Sequence, residues 1–413
     1  MEKTRLKNKK KILNDPVYGF ITIPDPLIFQ LIEHPWFQRL RRIQQLGLSN
    51  MVYPGAHHNR FHHAIGAMHL MQLVLENLES KGVFILDNEK QGALIAILLH
   101  DIGHGPFSHA LEHTIIKGTH HEEISLLVME ALNDEFEGAL ETGIRIFKNE
   151  YPKKFLHQLV SSQLDMDRLD YLQRDSFYTG VSEGVVGSQR ILKMLDVAND
   201  EIVVEEKGIY SIEKFLVARR LMYWQVYLHK TVVSAEFLLM KVLERAKKVW
   251  DACELRASPV LTEFMQHPIE GKLGRVPGML EKFLQLDDYD VWSAIKEWQY
   301  CEDRVLSELC QRLINRKLLK IKVQSEPIDE AELEKKKLAF QAQTGLSAEE
   351  TDYFIFSGVL ANEAYDPVGE EIKILYKNGD IKDIVSASDN LNISSLSGRV
   401  KKYFYCFPEL QEH

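Results

Sequence analysis

His100-Asp101-Ile102-Gly103-His104-Gly105-Pro106-Phe107-Ser108-His109 follows directly on an apolar run containing Leu94, Ile95, Ile97, Leu98 and Leu99. The run reads as a buried helix, and the Gly and Pro residues behind it read as the loop that ends it. An imidazole and a carboxylate side by side at a helix end point ~100° apart, so they share one ion only if it lies beyond or between them. Such a pair needs further ligands from elsewhere in the chain. Two stretches offer them: Asn59-Arg60-Phe61-His62-His63, where a helix opens, and Asp165-Met166-Asp167-Arg168-Leu169-Asp170-Tyr171, on another helix. A mixed nitrogen and oxygen set of this kind suits a divalent Mn, Fe, Zn, Ni, Co or Mg ion and disfavours a soft metal. Open positions on the ion can hold a water, lower its pKa and bind phosphate oxygen. The doublet leaves His62 and His63 as alternatives.

Histidine density supports a chemical reading of this region. Of the 16 histidines, 11 lie between residues 57 and 121, namely 57, 58, 62, 63, 69, 100, 104, 109, 113, 120 and 121. An even spread would place about 2.5 there. A surface rich in His explains such a cluster poorly when an apolar helix runs straight into it.

Outward from this centre the chain reads as mainly α. Residues 12–28 mix β-branched residues with Gly19, Pro24 and Pro26, as short extended pieces and turns do. Phe29, Leu31, Ile32, Phe37, Leu40, Ile43 and Leu46 recur at helical steps up to Gly47. Further helices are predicted at 61–80, 89–102, 121–134, 154–162, 166–175, 188–195 and 211–250. A helical domain is thus expected over 1–250 and a less regular helical extension over 251–315. A small α+β domain is expected over 316–413. That last part carries a strand-like 318–323, a charged helix at 329–344, a β-rich Tyr353–Phe356, and alternation about Asn378-Gly379 that predicts a hairpin.

Composition bounds the rest. The 413 residues carry 50 Lys+Arg against 60 Asp+Glu, a net charge of −10, which disfavours broad nucleic-acid binding. The hydrophobic fraction of 45% is that of a globular protein, and no apolar run approaches the ~20 residues of a membrane span. Cys253, Cys301, Cys310 and Cys406 have no paired spacing. Without a disulfide framework or an apolar signal segment, the expected location is the cytoplasm.

Taken together, Arg60-Phe61-His62-His63-Ala64-Ile65-Gly66, His100–His109 and Asp165–Tyr171 resemble the HD-domain deoxynucleoside triphosphate triphosphohydrolases. The likeness begins at Asn14-Asp15-Pro16-Val17-Tyr18-Gly19, passes through Phe37-Gln38-Arg39-Leu40-Arg41, and continues to Tyr227-Leu228-His229-Lys230. It therefore covers about the first 250 residues in order. It implies a helical HD-domain core and metal-dependent hydrolysis of a dNTP to deoxynucleoside and inorganic triphosphate.

The resemblance also implies roles. Its Arg-Phe-x-His spacing selects His63, so the metal ligands would be His63, His100, Asp101 and Asp167, with Asp165 and Asp170 as supporting partners. A metal-bound hydroxide would attack the α-phosphorus while His109, oriented by Glu112, protonates the departing oxygen. His104 would lie close to the metal-bound water or the phosphates, and His121 would contact the phosphate. Arg60, Arg168, Arg219 and Lys230 would gather the triphosphate, Tyr171 and Tyr227 would pack against sugar or base, Asp175 would assist at the sugar, and Gln45 would read the 3′-hydroxyl. Lys11, Asp15, Glu33, Gln38 and Arg41 match a regulatory nucleotide site found in some members, and a homodimer or homotetramer is expected. Two other classes are open to the same residues: another HD-domain phosphohydrolase (a nucleotide phosphodiesterase, 5′-nucleotidase or alarmone hydrolase), or a non-catalytic nucleotide sensor.

Overall fold

The computed structural model of the chain describes residues 11–107, 114, 116–267, 269–270, 273–362, 371–388 and 400–409. It is mainly α, with small sheets at its margins. An antiparallel hairpin of β1 (Ile12–Asp15) and β2 (Gly19–Thr22) opens the described chain, with Asp15 opposite Gly19. The helical pattern that follows is not one helix. α1 (Pro26–Glu33) stops at His34, because Pro35 cannot continue it, and residues 35–38 and 39–42 form a short helix and a 3₁₀ turn.

Three helices make the frame of the centre. α2 (Arg60–Ser80) is capped by Asn59 and buries 13 of its residues, so it has no solvent face of any width. α3 (Asp87–Leu99) is buried without a break from Gly92 to Leu99, which accounts for its all-round apolar sequence. α4 (His121–Glu135) packs on α5 (Glu141–Phe147), which together with α2 covers α3. Gly92 lets α5 approach closely, since a Cβ there would sit 2.6 Å from Thr142. α6 (Met166–Thr179) begins at the cap Asp165 and ends at Gly180, whose φ of 75° suits the left-handed cap. The start of α2, the end of α3 and the start of α6 meet at one point.

The stretch read as a helix over 211–250 is three pieces. α7 (Ile209–Met222) widens into a π turn at Tyr223–Tyr227, where the Leu228 N–H donates to the Tyr223 carbonyl five residues back, and α8 (Lys230–Val249) starts anew. α9 (Asp288–Trp298) and α10 (Arg304–Ile314) follow, α10 being joined to α8 by the fork of Arg245 on Asp303 (3.0 and 2.6 Å). Further on lies the charged helix α11 (Glu330–Thr344).

Three more sheets complete the picture among the described residues. β3 (Ile116–Lys117) runs parallel to β6 (Ile269–Glu270). A four-stranded sheet in the order β10-β9-β5-β4 joins β4 (Leu195–Ala198) and β5 (Glu201–Glu205) to the hairpin of β9 (Lys373–Leu375) and β10 (Ile381–Asp383). That hairpin turns at Asn378-Gly379, with Gly379 at φ 90°, as its sequence predicts, while β9 runs parallel to β5. A three-stranded sheet of β7 (Lys320–Gln324), β11 (Val400–Phe407) and β8 (Phe356–Asn362) packs Phe356 and Phe404 on Phe237 of α8. The strand expected at 353–356 thus begins only at Phe356, and the β4–β5 pair was not anticipated.

Candidate metal centre and adjoining pocket

His63 lies in the first turn of α2, His100 and Asp101 just past the end of α3, and Asp167 in the first turn of α6. Their polar atoms converge. His63 Nε2 is 3.4 Å from His100 Nε2, 3.0 Å from Asp167 Oδ1 and 3.7 Å from Asp101 Oδ2. His100 Nε2 is 3.4 Å from Asp101 Oδ1 and 3.6 Å from Asp167 Oδ1. Ligand atoms of His63, His100 and Asp101 all fall within 4.8 Å of one another.

The far side of each ring fixes which nitrogen faces the centre. His63 Nδ1 donates to Asp170 Oδ2 (2.8 Å), and His100 Nδ1 donates to the Ile97 carbonyl (2.6 Å). Both Nε2 atoms are thereby turned inward, and two imidazole nitrogens facing each other across two carboxylates could hold a divalent cation. His62 does not take part. Its ring accepts from the Asn59 N–H (3.4 Å) in a capping box, which separates the two members of the doublet.

Charge accumulates accordingly. Burial would depress His63, but hydrogen bonds that the ring donates to Asp167 and Asp170 outweigh it and lift the ring to about 10. Burial would raise Asp101, yet His100, His104 and Arg60 hold its carboxyl well below the ordinary carboxylate range. Asp167 is likewise lowered, against its burial, by His100 and His63. Two carboxylates are therefore held ionised at the point where the four side chains meet.

Around this point the other sequence-predicted residues fall into groups. Arg60 Nη1 lies 2.6 Å from Asp101 Oδ2. His104 Nε2 is 3.2 Å from Asp101 Oδ1, and its ring stacks on His121 with centroids 3.8 Å apart, so the two histidines form one wall. Arg168 donates through Nε to the Ser162 carbonyl (2.6 Å) and to Asp165 (3.2 Å), while Arg219 Nη1 donates to Gln163 Oε1 (2.9 Å). One loop, 162–165, thus holds two arginines. Tyr171 meets Tyr227 edge-on at 6.1 Å, and the Tyr227 hydroxyl donates to Asp175 Oδ2 (2.7 Å). Gln45 is tied through its backbone N–H to the His58 carbonyl (3.0 Å), and its Oε1 is buried with no partner among the described residues. Lys230 is exposed at the start of α8. His109 and Glu112 lie outside the described residues.

The five residues matched to a regulatory site separate. Gln38 and Arg41 are in contact, Arg41 Nε donating to Gln38 Oε1 (2.8 Å) with its guanidinium 3.6 Å above the Phe61 ring. Lys11 sits 5.0 Å over Phe29, and Glu33 ends α1. Asp15 is buried and bound to Arg174 (2.7 Å), away from solvent.

Sequence reading passed over several residues that the fold draws in. His58 Nε2 is 2.7 Å from Asp175 Oδ1, and its ring stacks on Tyr178 at 4.5 Å, so Asp175 is gripped from both sides by His58 and Tyr227. The His57-His58 doublet was the available signal. Arg39, with no exposed surface, donates to the carbonyls of Leu286 (2.7 Å), Ile102 (3.3 Å) and His104 (2.7 Å), fastening the loop after α3 to the entry of α9. Gln163 and Asp288, described above and below, had no sequence signal of their own.

Known proteins bear on this arrangement. The family described as HD domain matches residues 60–175, and that described as HD associated region matches 186–258. The chain is 34% identical over 409 residues to the uncharacterized protein YwfO of Bacillus subtilis, covering 95% of this chain and 90% of that one. It is 54% identical to a Bacteroides thetaiotaomicron protein whose crystal structure is described as a phosphohydrolase, with a TM-score of 0.94 over 97% of this chain and 100% of the other. A Dictyostelium discoideum homologue of the deoxynucleoside triphosphate triphosphohydrolase SAMHD1 is 32% identical over 262 residues, 58% of this chain and 50% of that relative. No helix among the described residues is long and apolar enough to cross a membrane. With its histidines and aspartates meeting where three helix ends converge, the chain belongs to the HD-domain phosphohydrolase family.

Proposed function

We propose that the protein hydrolyses deoxynucleoside triphosphates, releasing the deoxynucleoside and intact triphosphate. The observation that carries this reading is the His58–Asp175–Tyr227 chain, with His58 and Asp175 buried and Asp175 on the helix that also carries Asp167, together with Tyr171 packed on Tyr227 and Arg60, Arg168 and Arg219 nearby. A sugar needs hydrogen-bonding groups held in fixed orientation, and a triphosphate, with about four negative charges, needs arginine forks. The name of the Dictyostelium relative supports the same substrate class.

His63, His100, Asp101 and Asp167 would hold a divalent ion, which when bound supplies Lewis-acid polarisation of a water and a phosphoryl oxygen. Arg60 neutralises Asp101 and faces the phosphates. The stacked His104 and His121 exclude water from one side. Arg168 and Arg219, held by the 162–165 loop, bind the outer phosphates. Tyr171 packs on the sugar, and Asp175, its two oxygens already committed to His58 and Tyr227, orients the 3′ side together with Gln45. A Tyr227 hydroxyl fixed on Asp175 crowds the position that a 2′-hydroxyl would take. His109 gives its proton to the departing 5′-oxygen, with Glu112 fixing its tautomer. A regulatory nucleotide at Gln38 and Arg41 and a homo-oligomeric assembly belong to this reading.

The test is incubation of metal-analysed protein with each dNTP and NTP, with products resolved by ion exchange. Deoxynucleoside and triphosphate in equal amounts are expected. Orthophosphate or a nucleoside monophosphate as first product would overturn the proposal in favour of another phosphohydrolase chemistry, and no turnover with any metal would favour a sensor.

A further inference from the structure

The His63 ring is the innermost link of a longer chain of buried contacts. The same Asp170 oxygen that receives His63 Nδ1 at 2.8 Å also receives Arg174 Nε at 2.9 Å, while Arg174 Nη2 donates to the other Asp170 oxygen at 2.9 Å. The guanidinium therefore decides where that oxygen sits. Its remaining arm, Nη1, donates to Asp15 Oδ2 at 2.7 Å. Asp15 in turn closes the β1–β2 turn, its Oδ1 accepting the N–H groups of Val17 and Tyr18, both at 2.9 Å. His63, Asp170 and Arg174 have no exposed surface, and Asp15 has 5%.

A second observation points the same way. Gly66 lies one turn after His63 inside α2, where a glycine costs about 1 kcal/mol of helix stability relative to alanine. A Cβ at that position would fall 2.1 Å from Arg174 Nη2 and 2.1 Å from Asp170 Oδ1. The helix that carries the histidine is thus hollowed at the place where the ion pair passes.

We infer that Asp15 and Arg174 are positioning residues for the metal ligand His63, with Gly66 providing the space through which they act and the β1–β2 hairpin forming the outer anchor. The inference rests on the metal reading above and extends it to residues that touch neither ion nor substrate. A buried ion pair can also serve the fold alone. In that case its loss lowers stability and leaves the ion's environment unchanged.

Titration with Co(II), followed by visible absorption, separates the two. Asp15→Asn is nearly isosteric and keeps an oxygen for Val17 and Tyr18 while presenting an amide to Arg174. Arg174→Lys keeps the charge but loses the fork, and Gly66→Ala fills the hollow. Gly66→Ala and Arg174→Lys are expected to weaken Co(II) binding about 10-fold or more, and Asp15→Asn about threefold, each with a shifted visible band. Circular dichroism at the same temperature verifies that the variants are folded. Should Gly66→Ala not fold, Asp15→Asn and Arg174→Lys decide the matter. Folded variants that bind Co(II) like wild type, with an unchanged band, overturn the inference alone. Wild-type protein that takes up no Co(II) overturns the metal reading and this inference with it.

Discussion

Replacing Asp288 with Asn tests how a buried carboxyl ties the helical extension to the centre. Asp288 is the first residue of α9 and only 4% exposed. Its Oδ2 accepts the Gln44 N–H at 2.8 Å, beside Gln45. Burial, helped by the neighbouring Asp287, pushes the carboxyl up to about 7 against the pull of the Gln44 and Phe107 amides. In the unfolded chain an Asp titrates near 4. The folded state therefore holds the proton longer, and stability falls as pH rises between the two values. The full gap is worth about 4 kcal/mol, of which roughly 2–3 kcal/mol is expressed between pH 5 and pH 8. Asparagine keeps the acceptor for Gln44 and never ionises. Urea unfolding at pH 5 and pH 8 should show Asp288→Asn gaining stability over wild type at pH 8 by roughly 2–3 kcal/mol more than at pH 5. An equal difference at both pH values would refute the reasoning.

Three further perturbations address other links. The double change His100→Ala with Asp101→Ala removes two of the four converging ligands and should abolish bound divalent metal. Plasma emission analysis at wild-type metal content would show that the ligands are misassigned. Arg39→Met strands three buried carbonyls and should cost about 3–5 kcal/mol in urea unfolding, with Arg39→Lys intermediate; a loss below about 1 kcal/mol would mean that the three bonds do not hold the loop. Tyr227→Phe removes a 2.7 Å hydrogen bond to Asp175 and should reduce preference for dNTP over NTP about 10-fold in kcat/KM, whereas unchanged discrimination would detach this pair from the sugar.

The features legible in the sequence are those with a local cause. The run into His100-Asp101 identified a buried helix with a histidine and an aspartate at its end that could hold a metal ion, because an apolar run has to be enclosed on every side. Asn378-Gly379 predicted its hairpin because that dipeptide accepts the positive φ the turn requires. What escaped has a distant or subtle cause. β5 finds its parallel partner in β9, far along the chain, and Glu201-Ile-Val-Val-Glu carries no mark of that neighbour. Tyr223-Trp-Gln-Val-Tyr looks like any helical segment and carries no mark of its π turn. His62 and His63 are adjacent and chemically alike, and only the cap geometry at Asn59 tells them apart without appeal to a family pattern. His58 was visible as a histidine but not as the partner of Asp175, 117 residues on.

The parallel pairing of β5 with β9 also has a bearing on biosynthesis. During translation β5 emerges with one hydrogen-bonding edge bare, and its partner follows about 170 residues later. At about 5–20 residues per second that edge waits roughly 10–30 s on a nascent chain, open to wrong pairing. Glu201, at one end of β5, meets its ion-pair partner Lys373 only after that wait, whereas Glu205, at the other end, pairs with Lys81 and Lys207, which are made early.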